Sequence, residues 1–142
     1  MRYLLVLVLT VALVGCGTSR SSSTVIGPAS LKPGTMAFGS SLTRKGVAGE
    51  QSSFAMSDSL FYAAHLKQPV VQDGHLVLLF TGPQGYQNQV KIVVPRSGTT
   101  LTANAPVSIS NQLTVTGKWN ASLFAGNLSG PLLASGSFTV HS

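Results

Sequence analysis

The chain reads as an all-β protein, a single sandwich of about seven strands behind an N-terminal leader and a tether. Three observations carry this. Leu113, Val115, Gly117, Trp119, Ala121 and Leu123 alternate with Thr114, Thr116, Lys118, Asn120 and Ser122, a period of two that places the sets on opposite faces of a strand. Leu76-Val77-Leu78-Leu79-Phe80 is apolar on both parities and bounded by turn residues, as a strand covered on both faces is. Only 8% of residues are charged, so the polar positions are mostly Ser, Thr, Gly and Asn, and threonine's branched Cβ suits it to strands.

From the N-terminus, Met1-Arg2 begins a positive start and Tyr3 to Val14 is nearly all Leu and Val. That run is shorter than the ~20 apolar residues a membrane-spanning helix needs, so it reads as a secretory leader. It closes on Leu13-Val14-Gly15-Cys16, which contains the only cysteine. This ending resembles the lipobox of bacterial lipoprotein signal peptides. The resemblance implies cleavage between Gly15 and Cys16, a diacylglycerol on the Cys16 sulfur and often a further acyl group on its amine. Gly17 follows where an Asp would favour inner-membrane retention, so the expected location is the cell envelope. That means the outer membrane in a Gram-negative host, or the outer face of the cell membrane in a Gram-positive one. After Cys16 no thiol remains for an intramolecular disulfide, so the domain depends on its core.

Gly17 to Gly34 is rich in Ser, Thr, Gly and Pro and reads as a flexible tether, with an r.m.s. reach of roughly 25 Å. The domain is expected over 35–142. Met36, Phe38 and Leu42 share a parity and mark a first strand. Leu60, Tyr62, Ala64 and Leu66 mark another, although Ser57-Asp58 before them and Pro69 after them also fit a capped helix. Asp73-Gly74 is a turn opening the Leu76 strand, and Gly82-Pro83-Gln84-Gly85 is a turn closing it. Val90, Ile92 and Val94 alternate up to Pro95. Thr99 to Ile109 holds two weaker strand signals split by Asn104-Ala105-Pro106. Gly126-Asn127 reads as a hairpin turn, and Gly136, Phe138 and Val140 as the last strand. The expected core is Phe38, Leu60, Tyr62, Leu78, Phe80, Val90, Ile92, Trp119, Leu123, Phe138 and Val140.

The stretch Gly117-Lys118-Trp119, Leu123-Phe124-Ala125-Gly126 and Gly136-Ser137-Phe138-Thr139-Val140 resembles the closing hairpin of bacterial immunoglobulin-like domains. The resemblance covers residues 50–142 and implies an Ig-like β-sandwich. It implies no activity, because such sandwiches host many. The inter-sheet cystine of antibody domains is missing.

Candidate chemistry is sparse. Nine lysines and arginines against three acids give a formal net charge of +6. Beyond Arg2 the bases are scattered, with only Arg44-Lys45 adjacent, so nucleic acid is not an expected partner. His65, His75 and His141 lack zinc-ligand spacing, no Gly-x-Ser-x-Gly marks a nucleophile, and Glu50, Asp58 and Asp73 offer no evident acid–base pair. No enzyme activity, metal or cofactor is expected. Asn120-Ala121-Ser122 and Asn127-Leu128-Ser129 match glycosylation sequons by chance in a bacterial setting. Tyr86 and Gln87, within a run of amides from Gln84 to Gln89, form a loop suited to a glycan or protein partner. Phe124, apolar on a polar parity, is the other candidate contact. The reading is a lipid-anchored, non-catalytic binding or structural module whose partners are the membrane and an envelope protein or glycan. Its alternatives are an accessory subunit of a secretion or pilus assembly and a small hydrolase or metal-binding protein.

Overall fold

The computed structural model describes residues 24–142. The leader, Gly15 and Cys16 lie outside the described residues. Among the described residues there are ten strands: β1 (Thr35–Thr43), β2 (Gly46–Glu50), β3 (Ser53–Ala55), β4 (Ser59–Val70), β5 (His75–Thr81), β6 (Gln87–Val93), β7 (Gly98–Thr102), β8 (Val107–Ser108), β9 (Gly117–Ala125) and β10 (Leu132–His141). One short helix, α1 (Ile109–Gln112), follows β8. The main ladder runs β6-β5-β9-β10-β1-β4-β7, with β2 on β1, β3 on β10 and β8 on β4. The all-β class is therefore correct. The pairing joins all ten strands in one connected sheet, where an Ig-like sandwich of about seven strands divides them between two.

The sheet rolls around one core. Phe138 on β10 sits at its centre, with ring centroids 5.0 Å from Phe38, 5.8 Å from Phe54 and 6.1 Å from Phe80. These partners come from β1, β3 and β5, so a single ring ties together strands far apart in the chain. Gly136, on the same parity as Phe138, leaves the space that the Phe38 ring occupies: a Cβ there would lie 2.8 Å from Phe38 Cε2. A bulge between Leu132 and Ala134 turns both Leu133 and Ala134 inward. Of the expected core residues all are buried except Val90, which is half-buried against the core's margin.

The Leu60–Leu66 segment is a strand, and β4 continues through the exposed Pro69 after an irregularity beyond His65. Asp58 caps no helix. Its Oδ2 accepts the Ala55 amide at 2.8 Å and closes the turn from β3 into β4. The alternation from Leu113 does not make one long strand: β9 begins only at Gly117. The Leu113 amide donates to Ile109 O at 2.8 Å as α1 ends, and the Val115 carbonyl accepts the Trp119 indole N–H at 2.8 Å. These bonds turn the backbone away from a ladder, while Leu113 stays buried and Val115 half-buried.

The tether expectation also needs correction over 26–34. Ile26 pairs with Val47 through two backbone hydrogen bonds of 2.8 and 3.0 Å, and Pro28–Ser30 forms a 3-10 turn. His65 Nδ1 donates to the Leu31 carbonyl at 2.6 Å, and the Gly34 amide to the His65 carbonyl at 2.7 Å. Burial supplies the reason. Ala37, Val47, Ala48 and Ala63 are buried but lie outside the central core. Ile26 lies along β2 through its pair with Val47, and the Pro28–Ser30 turn packs on β4 and β7. Composition alone made this segment look soluble. The partners that hold it belong to other strands.

Tyr62, on β4, is buried, and burial pushes its phenol up to about 12. In the unfolded chain it ionises near 10, so between those values the unfolded state holds fewer protons than the folded one. Stability from this group is complete below about pH 10 and falls by about 3 kcal/mol as pH rises towards 12. Denaturant unfolding at pH 9 and pH 11.5 checks this. Tyr62→Phe should lose markedly less stability over that interval than the parent; equal losses would contradict the assignment.

Candidate functional site

Tyr86 ends the turn from β5 into β6, while Gln87 opens β6, so the loop expected from Gln84 to Gln89 is a paired strand from Gln87 on; packing on Trp119 builds the turn. Gly82 lies flat on the indole, where a Cβ would come within 2.5 Å of Cζ2. Pro83 sits over Gly117, whose positive φ of 128° and lack of a side chain admit the ring. The Gly82 amide donates to Tyr86 O at 2.7 Å, and the Tyr86 amide to Pro83 O at 3.2 Å. Tyr86 therefore projects from a tightly closed loop and is 48% exposed.

Gln87 starts a row of outward side chains across four strands, because directly opposed residues in antiparallel ladders point to the same face. The row is Gln87, Thr81, Asn120 and Ser137. The next is Gln89, Leu79, Ser122 and Ser135, and the third is Lys91, Val77, Phe124 and Leu132. Thus Gln87 and Phe124 share one outer face of β6-β5-β9-β10, about 13 Å apart along β5 at the usual rise per residue. Phe124 is half-buried, flanked by Val77 and by Leu132, which is 38% exposed. The face is amphiphilic, with amides and hydroxyls at the Tyr86 end and an apolar strip at the other. A shallow cavity of about 540 Å³ lies over β9 and β10, lined by Asn120, Ser122, Leu132 and Ser137 among others.

Amides and hydroxyls in such rows can donate to and accept from sugar hydroxyls or a peptide backbone, and the apolar strip can cover the carbon face of a ring or an aliphatic side chain. Asn120, Ser122 and Thr81 belong to this face but were not among the candidates drawn from the sequence, whereas Gln89 lay in the candidate amide run. Their parity was legible, yet which strands stand side by side was not.

The histidines are not brought together. His65 is tied to Leu31, His75 is exposed at the start of β5, and His141 is exposed near the C-terminus. Among the described residues, no three His, Cys, Asp or Glu side chains gather as a metal set, and no helix is long and apolar enough to cross a membrane. Asp73 occupies a turn at φ 64°, its amide donating to Val94 O at 2.9 Å, which fits the turn role expected of Asp73-Gly74. Comparison with protein-family models, with curated proteins and with solved structures finds no match.

Proposed function

We propose that this protein is a lipid-anchored component of a bacterial cell envelope, with a non-catalytic β-domain that acts by binding or as a structural part. The observation that carries the reading is the placement of the sole cysteine at the end of a short apolar leader, Leu13-Val14-Gly15-Cys16. Two or three acyl chains there hold a protein stably at a bilayer, whereas one holds it marginally. The outer face bearing Gln87, Asn120 and Phe124 is then the surface offered to an envelope glycan or protein. In the native host, the parent protein should sediment with membranes and enter the detergent-rich phase on detergent partitioning. Cys16→Ala should leave an uncleaved leader and abolish acyl labelling. A parent protein found wholly in the aqueous phase would refute the anchor.

One observation favours a second reading, an accessory subunit completed by a partner's strand. β6 ends the ladder, and among the described residues no backbone hydrogen bond joins it to β7 or β8. Beside it, Asn88 Nδ2 donates to Gln112 O at 2.8 Å, while the buried Gln112 Oε1 has no partner. A free strand edge is a template for pairing. A stoichiometric protein co-purifying after mild detergent extraction, and lost when Val90 or Ile92 is replaced by proline in a chain that still folds, would favour this reading over the glycan-binding one.

A further inference from the structure

Three of the chain's few cations converge on one pocket that none of the readings above uses. Arg44 and Lys45 form the tip of the β1–β2 hairpin, and Arg96 lies on the connection from β6 to β7. Together with Pro28, Thr43, Pro95, Thr100, Leu101 and Thr102 they line a cavity of about 600 Å³. The hairpin tip is tied down locally: Thr43 Oγ1 accepts the Lys45 amide at 3.2 Å and donates to Gly46 O at 3.1 Å. Thr100 and Thr102 are two apart on β7, so their side chains share one face of the strand, and both residues line the pocket together with Leu101 between them. No acidic side chain lines the cavity.

We propose that this pocket binds a phosphate-bearing anion. Two guanidinium groups supply planar forks matched to phosphate oxygens, a lysine adds a point charge, and the hydroxyls of Thr100 and Thr102 complete the donor set, that of Thr43 being already given to the Gly46 carbonyl. The volume leaves room for the glycerol or sugar that carries the phosphate. The position gives the site a reason. Ile26 and Gly27 run directly past the hairpin tip, Ile26 bonded to Val47 and Gly27 against the Lys45 carbonyl. The chain from Cys16 therefore reaches the domain at this end. The nine steps from Cys16 to Val25 span at most about 30 Å, so a chain anchored at Cys16 holds the pocket within reach of lipid headgroups. The lipid source of the phosphate rests on the anchor proposed above; the pocket's chemistry does not.

The test uses the full chain purified from its host, with hydrogen exchange of the amides in 43–46 and 96–102 as the readout. In neutral detergent micelles, inorganic phosphate should slow exchange in both segments saturably. Arg44→Gln/Lys45→Gln/Arg96→Gln should weaken that response about 100-fold, from roughly 1 kcal/mol per cation. Lys32→Gln/Lys67→Gln/Lys118→Gln, which removes the same charge from other exposed positions, should keep it. In vesicles, protection with phosphatidylglycerol but not with phosphatidylcholine alone assigns a lipid headgroup. A response to phosphate in micelles with none in either vesicle assigns a soluble phosphate or phosphorylated glycan. No response to phosphate, or equal loss in both triple variants, overturns the site. The micelle arm reads the same whether or not Cys16 is acylated, so failure of the anchor and failure of the pocket are separable.

Discussion

Replacing Phe138 by alanine should lower the unfolding free energy by about 5 kcal/mol, comparable with the whole stability of a small domain. Truncating a buried phenylalanine costs about 3–5 kcal/mol through lost transfer energy and the cavity left behind, and each well-placed aromatic pair adds about 1 kcal/mol. Phe138 makes three such pairs, with rings on β1, β3 and β5. No single neighbour can move to fill the space without leaving its own strand. Phe138→Leu keeps most of the volume and should cost about 1.5 kcal/mol. Denaturant unfolding of the three proteins measures both. A loss under 2 kcal/mol for the alanine variant would show that the core is not organised around this ring.

Gly46→Ala should act outside this aromatic core, by displacing the N-terminal segment. Gly46 has φ of 147°, and a Cβ there would lie 2.0 Å from Ile26 O and 2.8 Å from Gly27 Cα. The obstacle is backbone, so no side-chain rotation relieves it. The strained dihedral costs roughly 1–3 kcal/mol. If the segment gives way, the two Ile26–Val47 hydrogen bonds are lost, each about 1 kcal/mol. The expected outcome is destabilisation by about 3 kcal/mol, with faster exchange of the Ile26 and Val47 amides and protease cleavage between 26 and 34. The Phe138 core should stay protected. Retained protection at Ile26 would show that Gly46 is not where the segment is held.

These two positions show what the sequence disclosed and what it withheld. Phe138 was legible because period two, a turn before it and a final apolar parity are local signals. The same holds for β5, β6 and the later part of β9, and for the Pro83 and Asp73 turns. β2 and β3 were missed because they are short and interrupted by glycine or serine. They are strands because β1 and β10 offer them edges, which is a long-range fact. The docking of residues 26–34 was missed for a similar reason: it depends on partners remote in sequence, Val47 for Ile26 and His65 for Leu31 and Gly34. The early alternation around Leu113 misled because a buried parity is shared by strands and by irregular backbone whose carbonyl, as at Val115, serves a side chain. At the candidate face, Tyr86, Gln87 and Phe124 could be named from composition and parity. Asn120 and Ser122 could not be joined to them until the register of β5 on β9 was known. The cationic pocket was hidden altogether, since Arg96 is some fifty residues from Arg44-Lys45 and only the rolled sheet brings them together.

The most direct test of the central claim is mass spectrometry of the N-terminal peptide of the mature protein, isolated from its native host. The account predicts that the peptide begins at Cys16 and carries a diacylglycerol thioether, with or without an acyl group on the amine. A peptide that still contains residues 1–15, or one that begins at an unmodified Cys16, would contradict it.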